Sequence, residues 1–349
     1  MNNDLSAALQ DQVRRAASTG CALDIRGGGS QPQPGNPVQG EAVNLAGHTG
    51  IIDYAPEELV ITVRSGTSLT AINALLAEHG QMLAFEPPVF STASTIGGAI
   101  ACNRSGAARP WAGAARDSVL GCQILDGQGQ QLNFGGQVMK NVAGYDVSRL
   151  MCGAHGTLGI LLSVSLKVLP IPPASVTLVR ACGADEAIDT MNRLCGKPLP
   201  LTGAAWLDNQ LHLRLGGSPE SVHQATRQLS EYDRGPDIWS AISNLQHPFF
   251  DPHAPLWRLA VTPTSGLPAL SGQWLIDWAG GQRWLISPAD ATTIRQIAAA
   301  AGGHAQRWHA GDAPLFQPIP AGMLALHRRL KQVFDPLGIL NPGRLYAEL

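Results

Sequence analysis

The chain has 349 residues, of which 44% are hydrophobic and only 14% charged, with a formal net charge of −2. That balance excludes the basic field of a nucleic-acid binder and a polybasic membrane patch, and it suits a small neutral or anionic ligand. The length fits two domains with ample core, and with no basic n-region and no run near the roughly 18 apolar residues of a spanning helix, a cytoplasmic protein is expected.

Apolar residues at Leu5, Ala8, Leu9, Val13 and Ala16 recur at helical spacing, and Cys21 to Ile25 then alternates as a short strand. That strand delivers Arg26-Gly27-Gly28-Gly29-Ser30, followed by Gln31-Pro32-Gln33-Pro34-Gly35-Asn36-Pro37, which proline keeps from becoming helix. Leu59 to Val63 is β-branched and strand-like, and Ser65-Gly66-Thr67-Ser68 caps a helix from about Leu69 to His79. From Phe85 to Gly113 the composition turns to Pro, Ser, Thr, Gly and Ala, a helix-poor reading that includes Thr95-Ile96-Gly97-Gly98. Asp126-Gly127-Gln128-Gly129 between Val119 to Leu125 and Gln130 to Phe134 predicts a hairpin, and a strand from Gly159 to Leu169 closes the section.

Pro170-Ile171-Pro172-Pro173 can neither continue a helix nor sit in a central strand, and it marks the expected domain boundary. Beyond it, strands at Val176 to Arg180, Ala204 to Leu207 and Leu211 to Leu215 alternate with helices near Asp185 to Cys195 and Glu220 to Glu231. Trp257 to Val261, Trp274 to Trp278 and Gln282 to Ile286 read as further strands, and Pro288-Ala289-Asp290 opens a helix that stops before Gly302-Gly303. Leu324 to Phe334 is an amphipathic helix stopped by Pro336, and Asn341-Pro342-Gly343-Arg344 follows in a turn-rich tail.

Three glycine-centred segments therefore stand in order: 26–30, 95–98 and Gly153-Ala154-His155-Gly156-Thr157-Leu158-Gly159. Glycine lets a ligand approach the backbone amides, so a phosphate can be held without cationic side chains. The six cysteines show no pair spaced for a zinc knuckle or an iron–sulfur cluster, and the ten histidines have no metal spacing, so no metal is expected.

Those three segments, with Ala99, Ile100, Asn103 and Gly106 after the second and the closing Phe334-Asp335-Pro336 and Asn341-Pro342-Gly343-Arg344, resemble the vanillyl-alcohol-oxidase or PCMH type of FAD-binding flavoproteins. The match spans residues near 20 to 170 and the last twenty. Its closer likeness is to the smaller FAD-binding subunits of bacterial glycolate oxidases, through size, Trp257-Arg258-Leu259, Asp277-Trp278 and the Asn-Pro-Gly-Arg-Leu-Tyr ending. The resemblance implies an α+β fold: a two-part FAD-binding domain over 1–170, a smaller α/β cap over 171–320, and a helix and tail over 321–349 returning to the first domain. It implies FAD contacts from Arg26, Gly27, Gly28, Gly29, Ser30 and Gln31, then Pro87, Thr95, Gly97, Gly98, Asn103 and Gly106, then Gly156, Thr157 and Ile160, with Asn341 and Arg344 from the tail. The expected reaction is glycolate to glyoxylate in a complex with a larger catalytic FAD-binding subunit and an iron–sulfur subunit, which could lie against the inner membrane through those partners.

Two departures from the family pattern shape the expectation. Many relatives carry a histidine in the first glycine loop that bonds the flavin covalently; here Gly29-Ser30 stands there, so noncovalent FAD is expected. The catalytic 2-hydroxy-acid dehydrogenases carry a Gly-Asp-Gly-Asn-x-His segment late in the cap, which this sequence lacks. Oxidising a hydroxy acid needs a base and a cation for the carboxylate. Arg258 and Arg283 are the cation candidates, with His304, His253 and His309 as conceivable bases. A self-sufficient flavin oxidoreductase on another hydroxy acid or alcohol, and a structural subunit without functional flavin, are the alternatives.

Overall fold

The computed structural model describes residues 2–136, 146–309 and 313–349. These form two compact units, one of residues 1–105, 113–171 and 318–349, the other of residues 106–112 and 172–317. The helix-and-strand α+β expectation is met. Among the described residues no helix is long and apolar enough to cross a membrane.

The first unit is built on a five-stranded antiparallel sheet ordered Ile51–Ala55, Val60–Arg64, Ile160–Lys167, Val119–Leu125, Gln131–Gly135. Its central strand Ile160–Lys167 is buried almost throughout because both faces are covered. Leu161, Val164 and Leu166 join Ile72, Leu76, Ile96 and Ile100 from the helices Leu69–Glu78 and Ile96–Ala101 in one core. Ile160 and Leu162 face Leu9, Val13, Leu23 and Leu340 in another. A register shift between the Gln123–Ser163 and Ile124–Leu161 pairs switches the faces, so that Ile160 and Leu162 fall in one layer and Val164 and Leu166 in the other. Helix Ser6–Thr19 supplies the second layer and ends at Gly20 in a left-handed cap. A parallel pair, Leu23–Arg26 with Glu41–Asn44, lies beside it in that core.

The stretch over 95–101, expected to be helix-poor, is instead helical. Thr95 caps it, its Oγ1 accepting from the Gly98 amide at 3.2 Å. Gly97 lets the helix press onto strand-end Ser65: its amide donates to Ser65 O at 2.8 Å, and a Cβ there would stand 2.6 Å from Ser65 Cβ. Tertiary contact thus overrides the poor helix propensity of a glycine pair.

The second unit holds an eight-stranded sheet, antiparallel in every pairing, ordered Asp233–Arg234, Ala174–Ala181, Gln210–Gly217, Leu201–Leu207, Gln273–Asp277, Gln282–Ile286, Leu256–Ala260, His304–Arg307. Strand Leu201–Leu207 shows how the two faces are filled. Ala204 and Trp206 pack with Ile188, Met191 and Val222 of the helices Ala184–Cys195 and Pro219–Gln228, whereas Ala205 and Leu207 pack with Trp239, Trp284 and Trp308. Trp284 meets Trp308 edge to face at 4.9 Å and Phe250 at 5.2 Å.

Candidate functional site

The first unit contains a cavity of about 360 Å³ walled by all three glycine segments and by the C-terminal tail. Strand Leu23–Arg26 leads directly into the first segment. Gly28 passes so close to the neighbouring backbone that a Cβ would lie 1.6 Å from Ala93 O, and a Cβ on Gly27 would lie 2.8 Å from Thr95 Oγ1. Bare backbone is therefore obligatory at Gly28. Among the described residues the amides of Gly28, Gly29 and Ser30 donate to no group of the chain, and all three residues line the cavity. Successive unpaired amides of this kind form an anion-binding concavity.

Helix Ile96–Ala101 supplies Gly97, Gly98 and Ala101 to the wall, with Thr95 as its cap. Ser65, against which Gly97 packs, also lines the cavity; it is 2% exposed and its Oγ has no hydrogen-bond partner. A buried hydroxyl without a partner is costly unless a ligand supplies one.

The third segment is fixed by the tail. Asn341 Oδ1 accepts from the Ile25 amide at 2.7 Å, and its Nδ2 donates to His155 O at 2.7 Å. One carboxamide thus ties the end of the first strand to the Gly156 turn. Arg344 donates to Asn36 O at 2.9 Å and to Oδ1 of the buried Asp24 at 2.5 Å. Asp24 also pairs with Arg26, whose own side chain is largely exposed. The cationic lining residues Arg26 and Arg344 thus share one buried carboxylate.

Cys102 and His155 also line the cavity, with Sγ 3.8 Å from Nδ1, and that ring nitrogen lies 2.9 Å from Pro34 O. Burial pushes the Cys102 thiol up, but the His155 ring and the Arg104 and Arg344 guanidiniums outweigh it, so the net shift is downward. Met151, Leu161, Val38 and Leu45 give the cavity an apolar flank. Diphosphate-sized anionic chemistry at the amides and a flat apolar group at this flank are what the walls accommodate, and an FAD has both.

Of the residues read from sequence, Arg26 to Gln31, Thr95, Gly97, Gly98, Gly156, Asn341 and Arg344 meet around this one cavity. The others stand elsewhere. Thr157 is buried with Oγ1 on Ala154 O at 2.7 Å, where it closes its own turn. Ile160 is core, Pro87 is buried and does not line the cavity, and Asn103, with φ +49° and a buried Oδ1 that has no partner, sits just past the helix. Gly106 belongs to the second unit, where its carbonyl accepts from Trp278 Nε1 at 2.9 Å. Ser65, Cys102 and Met151 are among the contributors that sequence reading passed over. For Ser65 the only signal was a small polar run between strand and helix, which reads equally as a cap.

The catalytic candidates Arg258, Arg283, His304, His253 and His309 lie in the second unit, and none lines the cavity. Arg283 is fully buried and donates to the carbonyls of Gly280, Gly266 and Ser265, so it ties turns together. Arg258 donates to Gln282 Oε1 at 2.6 Å and lies over the Trp278 ring, as Arg109 does at 4.4 Å. His304 is an exposed edge-strand residue opposite Ala260; His253 is exposed in a turn and His309 is half-buried.

Comparison with known proteins agrees with the cavity. The family described as "FAD binding domain" matches residues 5–135, and "FAD linked oxidases, C-terminal domain" matches residues 317–345. The chain belongs to the PCMH-type FAD-linked oxidases. Within them it is 45% identical over 346 residues to glycolate oxidase subunit GlcE of Escherichia coli K12, covering 99% of both chains. Glycolate oxidase subunit GlcD of Bacillus subtilis is 33% identical over 170 residues, which are 48% of this chain and 36% of that one. Solved structures of alkyldihydroxyacetonephosphate synthase superpose with a TM-score of 0.67 at 15% identity, over 96% of this chain and 74% of theirs, a likeness of fold.

Proposed function

We propose that this chain is the FAD-binding subunit of a glycolate oxidase complex that oxidises glycolate to glyoxylate beside a larger catalytic flavoprotein and an iron–sulfur subunit. The observation that carries the reading is the row of unpaired amides at Gly28, Gly29 and Ser30 in a cavity that also holds the unpartnered Ser65 hydroxyl. The near-complete match to a protein named as a subunit supports the complex.

When bound, FAD supplies a two-electron acceptor. The residues of the chain do the holding. Gly27 to Gln31, with Thr95, Gly97 and Gly98, would receive the diphosphate through backbone dipoles, Ser65 would donate its hydroxyl, and Met151 and Leu161 would exclude water from the apolar flank. Asn341 and Arg344 act as positioning residues, because each fixes a cavity wall through backbone or carboxylate partners. Ser30 is hydrogen-bonded through its hydroxyl to Ser94 at 2.9 Å and position 29 is glycine, so the first loop offers no imidazole for a covalent bond, which supports noncovalent FAD.

The test is the visible spectrum of the purified chain. A yellow protein that releases its flavin on denaturation, and whose flavin bleaches under anaerobic glycolate only when the partner subunits are present, is the expected result. A colourless chain that takes up no added FAD overturns the reading, and bleaching by the isolated chain turns it into a self-sufficient oxidoreductase.

A further inference from the structure

Among the described residues six large hydrophobic side chains are exposed, and four of them fall within fifteen residues: Met323, Leu326 and Val333 on the helix Ala321–Phe334, and Leu337 in the turn just beyond. On the helix itself Met323, Leu326, the half-buried Leu330 and Val333 repeat at intervals of three and four, the spacing of a coiled-coil seam. The seam is not the face the helix buries in its own unit. Lys331 and Phe334 point inward there, whereas Val333 is 70% exposed. Single exposed apolar residues are ordinary, but a continuous row along one helix is the mark of an interaction surface.

The charges beside the row define what fits it. The helix sequence AGMLALHRRLKQVF has no acidic residue, and His327 and Arg329 occupy the two flanking positions. Lys331 is neutralised internally by Asp335 at 2.8 Å. A second copy of this chain would bring the Arg329 flank of one helix against that of the other with no acidic residue on the helix to offset it, which disfavours self-pairing. We propose that this seam docks an amphipathic helix of another subunit of the complex, apolar along its centre and acidic on its flanks. The proposal rests on the subunit reading given above. A helix laid on such a seam is anchored through alternate i, i+3 and i+4 contacts, and the acidic rim sets its direction.

The full chain co-expressed with the large flavoprotein and iron–sulfur subunits of its own organism's glycolate oxidase, followed by size exclusion with mass determination, tests this. Leu326→Glu and Val333→Glu should each leave the melting temperature of the isolated chain unchanged, since both sites are exposed, yet weaken association by about 100-fold or more by placing an unpaired carboxylate in the contact. Arg329→Glu should weaken it and reverse its salt dependence. Ile52→Glu, at an exposed apolar site away from the seam, should have no effect. A wild-type complex that persists in both seam variants overturns the assignment alone. An isolated wild-type chain that dimerises, and that Leu326→Glu makes monomeric, also overturns it in favour of a second copy. A wild-type chain that joins no partner overturns the subunit reading, and the docking assignment falls with it.

Discussion

Asn341 accepts the amide hydrogen of Ile25 across 316 residues of sequence, and with the other end of the same carboxamide it donates to His155. Replacing it by alanine leaves a part-buried N–H and a carbonyl unsatisfied at once. Asn341→Ala should lower stability by about 2–3 kcal/mol and release FAD at a lower temperature than wild type. Asn341→Asp should be worse, because a carboxylate cannot donate to the His155 carbonyl. Thermal melts followed by flavin fluorescence check both, and an Asp variant as stable as wild type would contradict the geometry.

Gly28 and Gly29 are adjacent yet should respond differently. Gly28→Ala must displace Ala93, whose carbonyl oxygen occupies the Cβ position, so folded yield and flavin retention should both fall sharply. At Gly29 nothing stands within 4 Å of the Cβ position, but φ is +67°. Gly29→Ala should therefore lose only about 1 kcal/mol of stability from the left-handed backbone, and Gly29→Asn less. Retention of flavin by Gly28→Ala at the wild-type level would remove the tight approach from the account.

His212 is buried in strand Gln210–Gly217 with Nδ1 unpartnered, and burial depresses its pKa to about 4. The unfolded chain therefore binds the proton more readily than the folded one. The stabilising effect of the neutral ring is fully present above pH 6.5 and is lost as pH falls toward about 4, a change of about 3 kcal/mol in all. His212→Leu should flatten that slope. The measurement is urea unfolding of the second unit, followed by tryptophan emission, at a series of pH values between these limits.

Lys331 donates to the carbonyls of Thr157 and Leu340 at 2.8 and 2.6 Å and pairs with Asp335, which itself accepts from the Ile339 and Leu340 amides. Lys331→Met strands a buried carboxylate and two carbonyls. A loss of about 3–5 kcal/mol is expected, read as a lower denaturation midpoint, and the double variant with Asp335→Asn should recover part of it.

Cys102 differs from Cys122 and Cys152, which burial pushes up to about 12. Alkylation of Cys102 by iodoacetamide should persist as pH is lowered toward neutrality while those two stay unmodified, and added FAD should protect Cys102 because it lines the cavity. Peptide mass mapping with and without FAD reads the difference.

Elements whose information is local were legible in the sequence. The hairpin at Asp126 is fixed by its own side chain, Oδ1 accepting from Gln128 and Gln130 amides, so its turn chemistry is written in place. The helix Leu69–Glu78 carries its own cap in Ser68. Strand Glu41–Asn44 was not visible, since only Val43 is buried in it and its existence depends on pairing with Leu23–Arg26. The helix Ile96–Ala101 was missed for the same kind of reason: its glycines oppose helix locally, and Gly97 is favourable only because Ser65 lies against it. The glycine loops were readable as ligand backbone, whereas Ser65 became part of the site only through that approach. Arg258 and Arg283 beside tryptophans looked like substrate cations, yet such neighbours arise in any packed sheet where guanidinium stems cover aromatic faces.

Asp24 binds both nearby guanidiniums but offsets only one of their charges, so the lining keeps one net positive charge, much reduced from the two it would otherwise show. An anion arriving from solution is drawn weakly at long range, and the aligned N–H dipoles act at contact. Uptake of the cofactor should then show modest electrostatic steering and a shallow dependence on ionic strength. Inorganic phosphate and nucleoside triphosphates, which a cationic pocket would collect from the cell, should compete for it poorly, so selectivity comes from shape.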